Sequence, residues 1–347
     1  YMGTLDERHS TRGRGNALRL AITGQLHRDD ASLGAGPEWT DPGTIETLDL
    51  CLSCKGCKAE CPSNVDIARL KAEYTAQRYR VTGRIPLKAR AFGHVRALNR
   101  LGSFMPAIAN WTNRRAPMRA VLNRVLGLAP QRTIPEFSRP LTSRTVNTPA
   151  GVNEGGPTVV LFADCFTTYN ESHIGMAAAR VLEAFGYRVR LVNAGCCARS
   201  LISTGLLEDA IATAARTLDG LRPAIEDPGV RAILVCEPSC LSAFKDDWLQ
   251  LRLSTPLALR RALAAKSAMV EEFLNAEWDR HPRRPAVPAD GAPIVLHAHC
   301  HQKALWTAES SAGLLRRFVG PRLKVLDSGC CGMAGSFGYT ADHYDLS

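Results

Sequence analysis

The stretch CLSCKGCKAECP, residues 51–62, carries four cysteines in eleven residues and ends on a proline. Its spacing, C-x2-C-x2-C-x3-C-P, wraps three thiolates around one [4Fe–4S] cluster and aims the fourth elsewhere. Soft sulfur donors suit iron held in tetrahedral sulfur geometry. Zinc competes for such donors, but structural zinc sites build from two Cys/His pairs with a longer spacer, which is absent here. The spacing therefore predicts that Cys51, Cys54 and Cys57 hold one cluster. In two-cluster ferredoxins the fourth cysteine serves the other cluster. Cys61 is thus expected to reach for a cluster whose other ligands lie before Tyr1, and a single cluster on all four cysteines is the alternative.

Outward from this run, 347 residues leave room for two or three domains. No apolar run approaches the ~18 residues of a membrane span. The start, YMGTLDERHSTRGRGNALRL, has no apolar core of a secretory signal, so the twelve cysteines read as reduced thiols for metal or redox chemistry in a cytoplasm. The absence of an initiator Met at position 1 points to a fragment. Charge is uneven. Residues 71–145 hold fifteen Lys and Arg against Glu73 and Glu136, with Val95, Leu98, Leu101, Phe104 and Met105 interleaved. Such a basic amphipathic stretch suits an acidic partner or the anionic inner face of a membrane; a solvated linker helix is the plainer reading. Nucleic acid is disfavoured, because no binding motif accompanies the charge.

Organisation follows the pattern of apolar residues. Residues 1–82 read as helical, with a start at Asp41-Pro42 and a second helix capped by Ser63 and carrying Ile67, Leu70 and Tyr74 on one side. A basic helical linker, 83–150, ends in the loop RPLTSRTVNTPAGVNEGGP. Beyond it TVVLFAD, YRVRLVN and VRAILVC read as buried strands separated by helices, the rhythm of a parallel α/β sheet. A repeat is visible: VVLFADC ending at Cys165 matches IVLHAHC ending at Cys300, 135 residues on, and Cys196-Cys197 matches Cys330-Cys331, 134 residues on. The expected architecture is α plus α/β: a helical module (1–82), the linker, one α/β lobe (151–290) and a second, truncated lobe (291–347). Open sheets place ligands at the carboxyl ends of their strands, where these cysteines fall.

In HAHCHQK, alternation along a strand puts His297, His299 and His301 on one face and Cys300 on the other. The histidines are expected to orient a ligand, shuttle a proton or, with Lys303, bind an anionic group. Hydrogen-bonded histidines lining a sheet end are the alternative. No G-x-G-x-x-G follows a strand, so a resident flavin or nicotinamide site of Rossmann type is not expected.

CLSCKGCKAECPSNVDIARLKAEY, with HAHCHQKAL and DSGCCGMAGSFGY, resembles the iron–sulfur oxidoreductases that carry the cysteine-rich CCG domain. The resemblance is greatest to the iron–sulfur part of fusion proteins with an FAD-linked oxidase domain, which act on D-2-hydroxy acids such as D-lactate or D-2-hydroxyglutarate. ERHSTRGRGNALRL directly follows a first CP motif in such proteins. The likeness implies cofactor ligands at Cys165, Cys196, Cys197 and Cys240 in the first lobe and at Cys300, Cys330 and Cys331 in the second. Two departures stand out. Ala198 follows the first double cysteine in place of Gly, and Glu237 stands where a fifth cysteine belongs, with Cys236 one residue away. Gly332, Gly335 and Gly338 in the second lobe leave room for backbone to pass close to a bulky group.

The resemblance implies an electron-transfer segment that takes electrons from FAD in a separate domain or subunit and passes them to a quinone or carrier protein. Two alternatives remain: a heterodisulfide-reductase-like thiol–disulfide oxidoreductase, and a metal-stabilised scaffold that docks partners.

Overall fold

The computed structural model describes residues 3–26, 36–286 and 291–347. The N-terminal part is helical. Helices Thr11–Ile22, Pro42–Asp49 and Ile67–Thr82 pack Leu18, Leu48, Ile67 and Tyr74 into a small core that also takes in Cys51. Asp41 caps the second helix, its carboxylate accepting from Thr44 N at 2.6 Å. The third is capped by Asp66 and not by the expected Ser63. Residues 63–66 run on as loop first, and Leu70 faces outward while Ile67 and Tyr74 face in.

The apolar runs form a parallel sheet, β1 (Thr158–Phe162), β2 (Arg188–Val192), β3 (Val230–Val235) and β4 (Ser267–Met269), in the order 2-1-3-4. Both faces of its centre are covered: Val160, Phe162, Ile233 and Val235 point into one core, and Val159, Leu161, Ala232 and Leu234 into the other. Burial on both sides explains the unbroken apolar reading of β1 and β3. β2 departs from the expectation of a buried strand. It lies at the sheet edge, with Arg188 and Arg190 exposed and Val189 buried. A second parallel pair, β5 (Ile294–Leu296) and β6 (Leu323–Val325), is crossed by the helix Glu309–Val319.

Helices Leu87–Gly93, Val95–Phe104, Pro106–Arg114 and Ala116–Leu126 make the connector. The second of them is inverted relative to an ordinary amphipathic helix. Its Arg96, Asn99 and Ser103, spaced i, i+3, i+7, contact the sheet unit through Ala163 O, Asn170 and Tyr169 O. Leu101 and Phe104 remain 74% and 82% exposed. Among the described residues no helix is long and apolar enough to cross a membrane.

Candidate functional site

Cys51, Cys54, Cys57 and Cys61 lie on a tight loop and the short helix Gly56–Glu60. Ser53 and Lys55 both adopt left-handed conformations, φ 52° and 64°, which coil the chain between successive cysteines. Arg14 donates to Leu50 O (2.9 Å) and Lys71 to Cys51 O (2.8 Å), holding the entry to the loop. The backbone N–H of Gly56 points at the Cys54 sulfur, and those of Ile67 and Ala68 point at Cys57 from the first turn of a sixteen-residue helix. Burial nonetheless pushes both thiols up. Donors of this kind favour thiolate and tune a bound cluster.

In the four-stranded sheet, Cys165 follows β1, Cys196-Cys197 follow β2 and Cys240 follows β3. Strand order reverses between β1 and β3, so the thiols gather at the topological switch point where open sheets bind ligands. All four are buried, with Cys165 Sγ 3.6 Å from Cys196 Sγ and Cys197 Sγ 3.0 Å from Cys240 Sγ. Thr217 Oγ1 donates to Cys196 O (2.9 Å) and Trp248 Nε1 to Cys197 O (3.0 Å), fixing the loop from behind. Ala198 sits at φ 62°, the left-handed region that glycine prefers, so the departure from Gly leaves the turn in place at roughly 1–2 kcal/mol of strain. Cys236 does not join the others. It packs with the core on the opposite side of the sheet, whereas Cys197 and Cys240 belong to the first. Glu237, at the position of the missing cysteine, caps the helix Pro238–Ser242, its carboxylate accepting from Ser239 N (3.1 Å) and Oγ (2.7 Å).

The β5–β6 unit repeats the local chemistry. Ala198 N–H points at Cys196 sulfur, and Gly332 N–H, with Gly332 at φ 79°, points at Cys330. Interaction with Cys165 and Cys197 holds the Cys196 thiol well down, as interaction with Cys300 does Cys330, while Cys165, Cys197 and Cys300 are themselves pushed up. Cys330 and Cys331 are exposed. Gly335 is also left-handed, φ 67°, and a Cβ at Gly338 would lie 2.7 Å from Met333 sulfur.

The expected one-face array of histidines is corrected by the structure. β5 ends at Leu296, and a helix begins at Cys300, so the alternation that the strand reading required stops before His297. His297 is exposed and meets Gly329 O at 3.1 Å. His299 caps the new helix and lies 3.9 Å from Glu237. His301 turns inward. Its Nδ1 is 2.6 Å from Ser242 Oγ and its Nε2 3.1 Å from Ser53 O, a carbonyl that accepts from Arg199 Nη2 at 2.9 Å. Lys303 instead ties down Ser328 O at 2.5 Å.

Three cysteine-bearing segments therefore meet. Cys54 lies close enough to Cys300 and Cys330 for their charges to interact. Behind it Lys55 Nζ contacts Asp246 Oδ2 (2.6 Å) and Asp247 Oδ1 (2.5 Å), Lys58 also reaches Asp246, and both aspartates sit on a π-helical turn soon after Cys240. The donor set fits a sulfur-loving cofactor. Of the thiols at expected ligand positions, all but Cys330 and Cys331 are buried or half-buried, and backbone N–H groups are aimed at several. Among the described residues no three His, Cys, Asp or Glu side chains close on a single ion.

Residues 159–245 match the family model of the cysteine-rich domain, CCG. The chain is 26% identical over 292 residues to one subunit of the anaerobic glycerol-3-phosphate dehydrogenase of Escherichia coli (strain K12), covering 82% of this chain and 71% of that one. It is 29% identical over 320 residues to the glycolate oxidase iron-sulfur subunit of the same organism, 88% and 71% of the two chains. To its D-2-hydroxyglutarate dehydrogenase it is 22% identical over 315 residues, 87% of this chain but 30% of the relative. These homologues are dehydrogenase or oxidase proteins, so the chain is a homologue of oxidoreductase components. No solved structure matches it.

Proposed function

We propose that this chain is the iron–sulfur, electron-transfer segment of an FAD-linked 2-hydroxy-acid dehydrogenase, with the flavin on a separate domain or subunit. The reading comprises a ferredoxin-type module (1–82), a basic linker (83–150) and two related CCG lobes (151–290 and 291–347). Bound iron–sulfur clusters supply one-electron transfer at potentials tuned by burial and hydrogen bonds. Cys51, Cys54 and Cys57 would hold one, Cys61 would contribute to a second, and Cys165, Cys196, Cys197 and Cys240 would hold another.

The observation that carries this reading is the convergence on Ser53. A carbonyl two residues from Cys51 and next to Cys54 accepts from Arg199, which follows Cys196-Cys197, and lies against His301, which follows Cys300. Such contacts fix the spacing between centres that must exchange electrons. Anaerobic purification with iron, sulfide and zinc assay, and EPR of the reduced protein, tests it; zinc without iron ends the redox reading. Turnover of a disulfide substrate, the heterodisulfide-reductase alternative, needs access to Cys197 and Cys240, which are buried.

The acceptor side is assigned to a quinone or carrier protein, reached at the inner face of a membrane through residues 83–130. Support comes from the helices Val95–Phe104 and Pro106–Arg114: Leu101, Phe104, Ile108 and Trp111 are exposed, as are Arg100, Arg114 and Arg115, the combination that binds anionic lipid interfaces.

A further inference from the structure

Arg96 belongs by sequence to the basic linker, yet it turns away from solvent. Its Nη1 donates to Ala163 O at 3.0 Å and lies 3.6 Å from Cys165 Sγ, while Nη2 donates to Asn193 Oδ1 at 2.6 Å. Ala163 follows β1 and Asn193 follows β2, so the guanidinium bridges the carboxyl ends of two strands at the mouth of the four-cysteine pocket. Tyr169, on the short helix that Cys165 begins, supports it from below, its ring centroid 5.4 Å from the guanidinium carbon. Asn99 and Ser103 fix the same helix face to Asn170 and Tyr169 O. A guanidinium stays charged under all ordinary conditions.

We propose that Arg96 is the counter-charge of the first lobe's thiolates and sets how readily that site accepts an electron. The proposal rests on the reading that Cys165, Cys196, Cys197 and Cys240 hold a cluster. Four thiolates would bring more negative charge into a buried site than the iron they hold offsets, and reduction adds one more. One electron arrives from the Cys51–Cys57 side, which is oxidised by one; no bond breaks and no proton need move. A fixed positive charge close to Cys165, poorly screened at a partly buried position, favours the reduced state and the assembled thiolate set alike. A connector helix whose outer face is offered to a partner thereby carries a charge into the redox site.

The test uses the full chain, purified anaerobically, with Arg96→Gln and Arg96→Lys, and Cys240→Ser to identify the signal of the first lobe. Iron content, thermal melting and EPR-monitored redox titration are read on each. Arg96→Gln is expected to lower the midpoint of the signal that Cys240→Ser removes, by about tenfold in the oxidised-to-reduced ratio, about 59 mV for one electron. Arg96→Lys is expected to restore most of it, and the other signals stay in place. Loss of first-lobe iron in Arg96→Gln but not in Arg96→Lys supports the same role. Equal midpoints in all three proteins, or equal shifts or equal iron loss in both variants, overturn it and leave Arg96 a packing residue. If Cys240→Ser removes no iron and no signal, the cluster reading itself fails and takes this proposal with it.

Discussion

The Nε2 atom of His301 lies 3.1 Å from the carbonyl oxygen of Ser53, although 248 residues separate them. That contact joins the loop of the C-x2-C-x2-C-x3-C-P run to the helix that begins at Cys300. Burial, with Arg199 beside it, keeps the His301 imidazole from protonating in its ordinary range. The Ser242 hydroxyl donates to Ser239 O, so a neutral ring offers its Nδ1–H to Ser242 Oγ, 2.6 Å away, and its Nε2 accepts from Arg199 Nη2 at 3.1 Å beside Ser53 O. One ring thus touches the segments after Cys51, after Cys240 and after Cys300.

His301→Ala should loosen this junction. The lost hydrogen bonds are buried, so the expected destabilisation is about 1–3 kcal/mol in denaturant unfolding. Amide exchange should rise at residues 51–57 and 300–305 together. His301→Gln, which offers both a donor and an acceptor, should recover part of the protection. Unchanged exchange at 51–57 in the alanine variant would remove the case for a mechanical link between the segments.

Acid should open the same interface from its other side. Burial opposes ionisation of Asp246, but the charges and hydrogen bonds of Lys55 and Lys58 outweigh it and hold the carboxylate below its ordinary value of 3.8. A carboxylate lowered on folding adds stability that is complete above about pH 4 and is lost as pH falls through the folded value. The unfolding free energy of the native chain should drop across that window, and Asp246→Asn should flatten the drop. At neutral pH the variant strips a buried ammonium of one of its two carboxylates, at an expected cost of about 3 kcal/mol. An acid limb identical in both proteins would assign the pH dependence elsewhere.

Much of this site was legible because its signals are local. A C-x2-C-x2-C-x3-C-P run, and apolar stretches at β1 and β3, state their structure within a dozen residues. The contacts that join the parts are not local. Arg96 is one of fifteen basic residues in its stretch, and nothing near it in sequence says that it faces Cys165. Its spacing with Asn99 and Ser103, opposite Leu101 and Phe104, was the available clue. Ser53 lies 146 residues from Arg199 and 248 from His301, and Lys55 lies 192 from Asp247; periodicity carries no information over such separations. The histidine array failed for another reason: two periodicities compete in HAHCHQK, and the helix started by His299 won.

The two nearby cysteines after β3 should behave oppositely. Cys240 faces Cys197 at 3.0 Å, while Cys236 packs into the core across the sheet. Cys236→Ala should leave iron and sulfide content unchanged and lose only the packing of a small side chain. Cys240→Ser should lower both contents and remove one EPR component. Equal loss in the two variants would mean that the ligand set includes Cys236 and that the four-thiol assignment is wrong.

The outward face of the connector offers a test in which stability and binding separate. Phe104 is 82% and Trp111 58% exposed, so Phe104→Ser combined with Trp111→Ser removes little buried area. The unfolding free energy should stay within about 0.5 kcal/mol of the native value for each change, as for other surface substitutions. If this face meets a membrane, the native chain should sediment with vesicles containing anionic phospholipid at low salt and be released at high salt, where charges are screened within about 3 Å. The double variant should lose that binding at least tenfold with its iron content intact. Replacing Arg100, Arg114 and Arg115 by Gln should weaken binding and flatten its salt dependence, because the apolar contribution alone then remains. Equal sedimentation of native and variant chains, or no sedimentation of either, would separate residues 83–130 from any membrane and leave a protein partner as the occupant of this face.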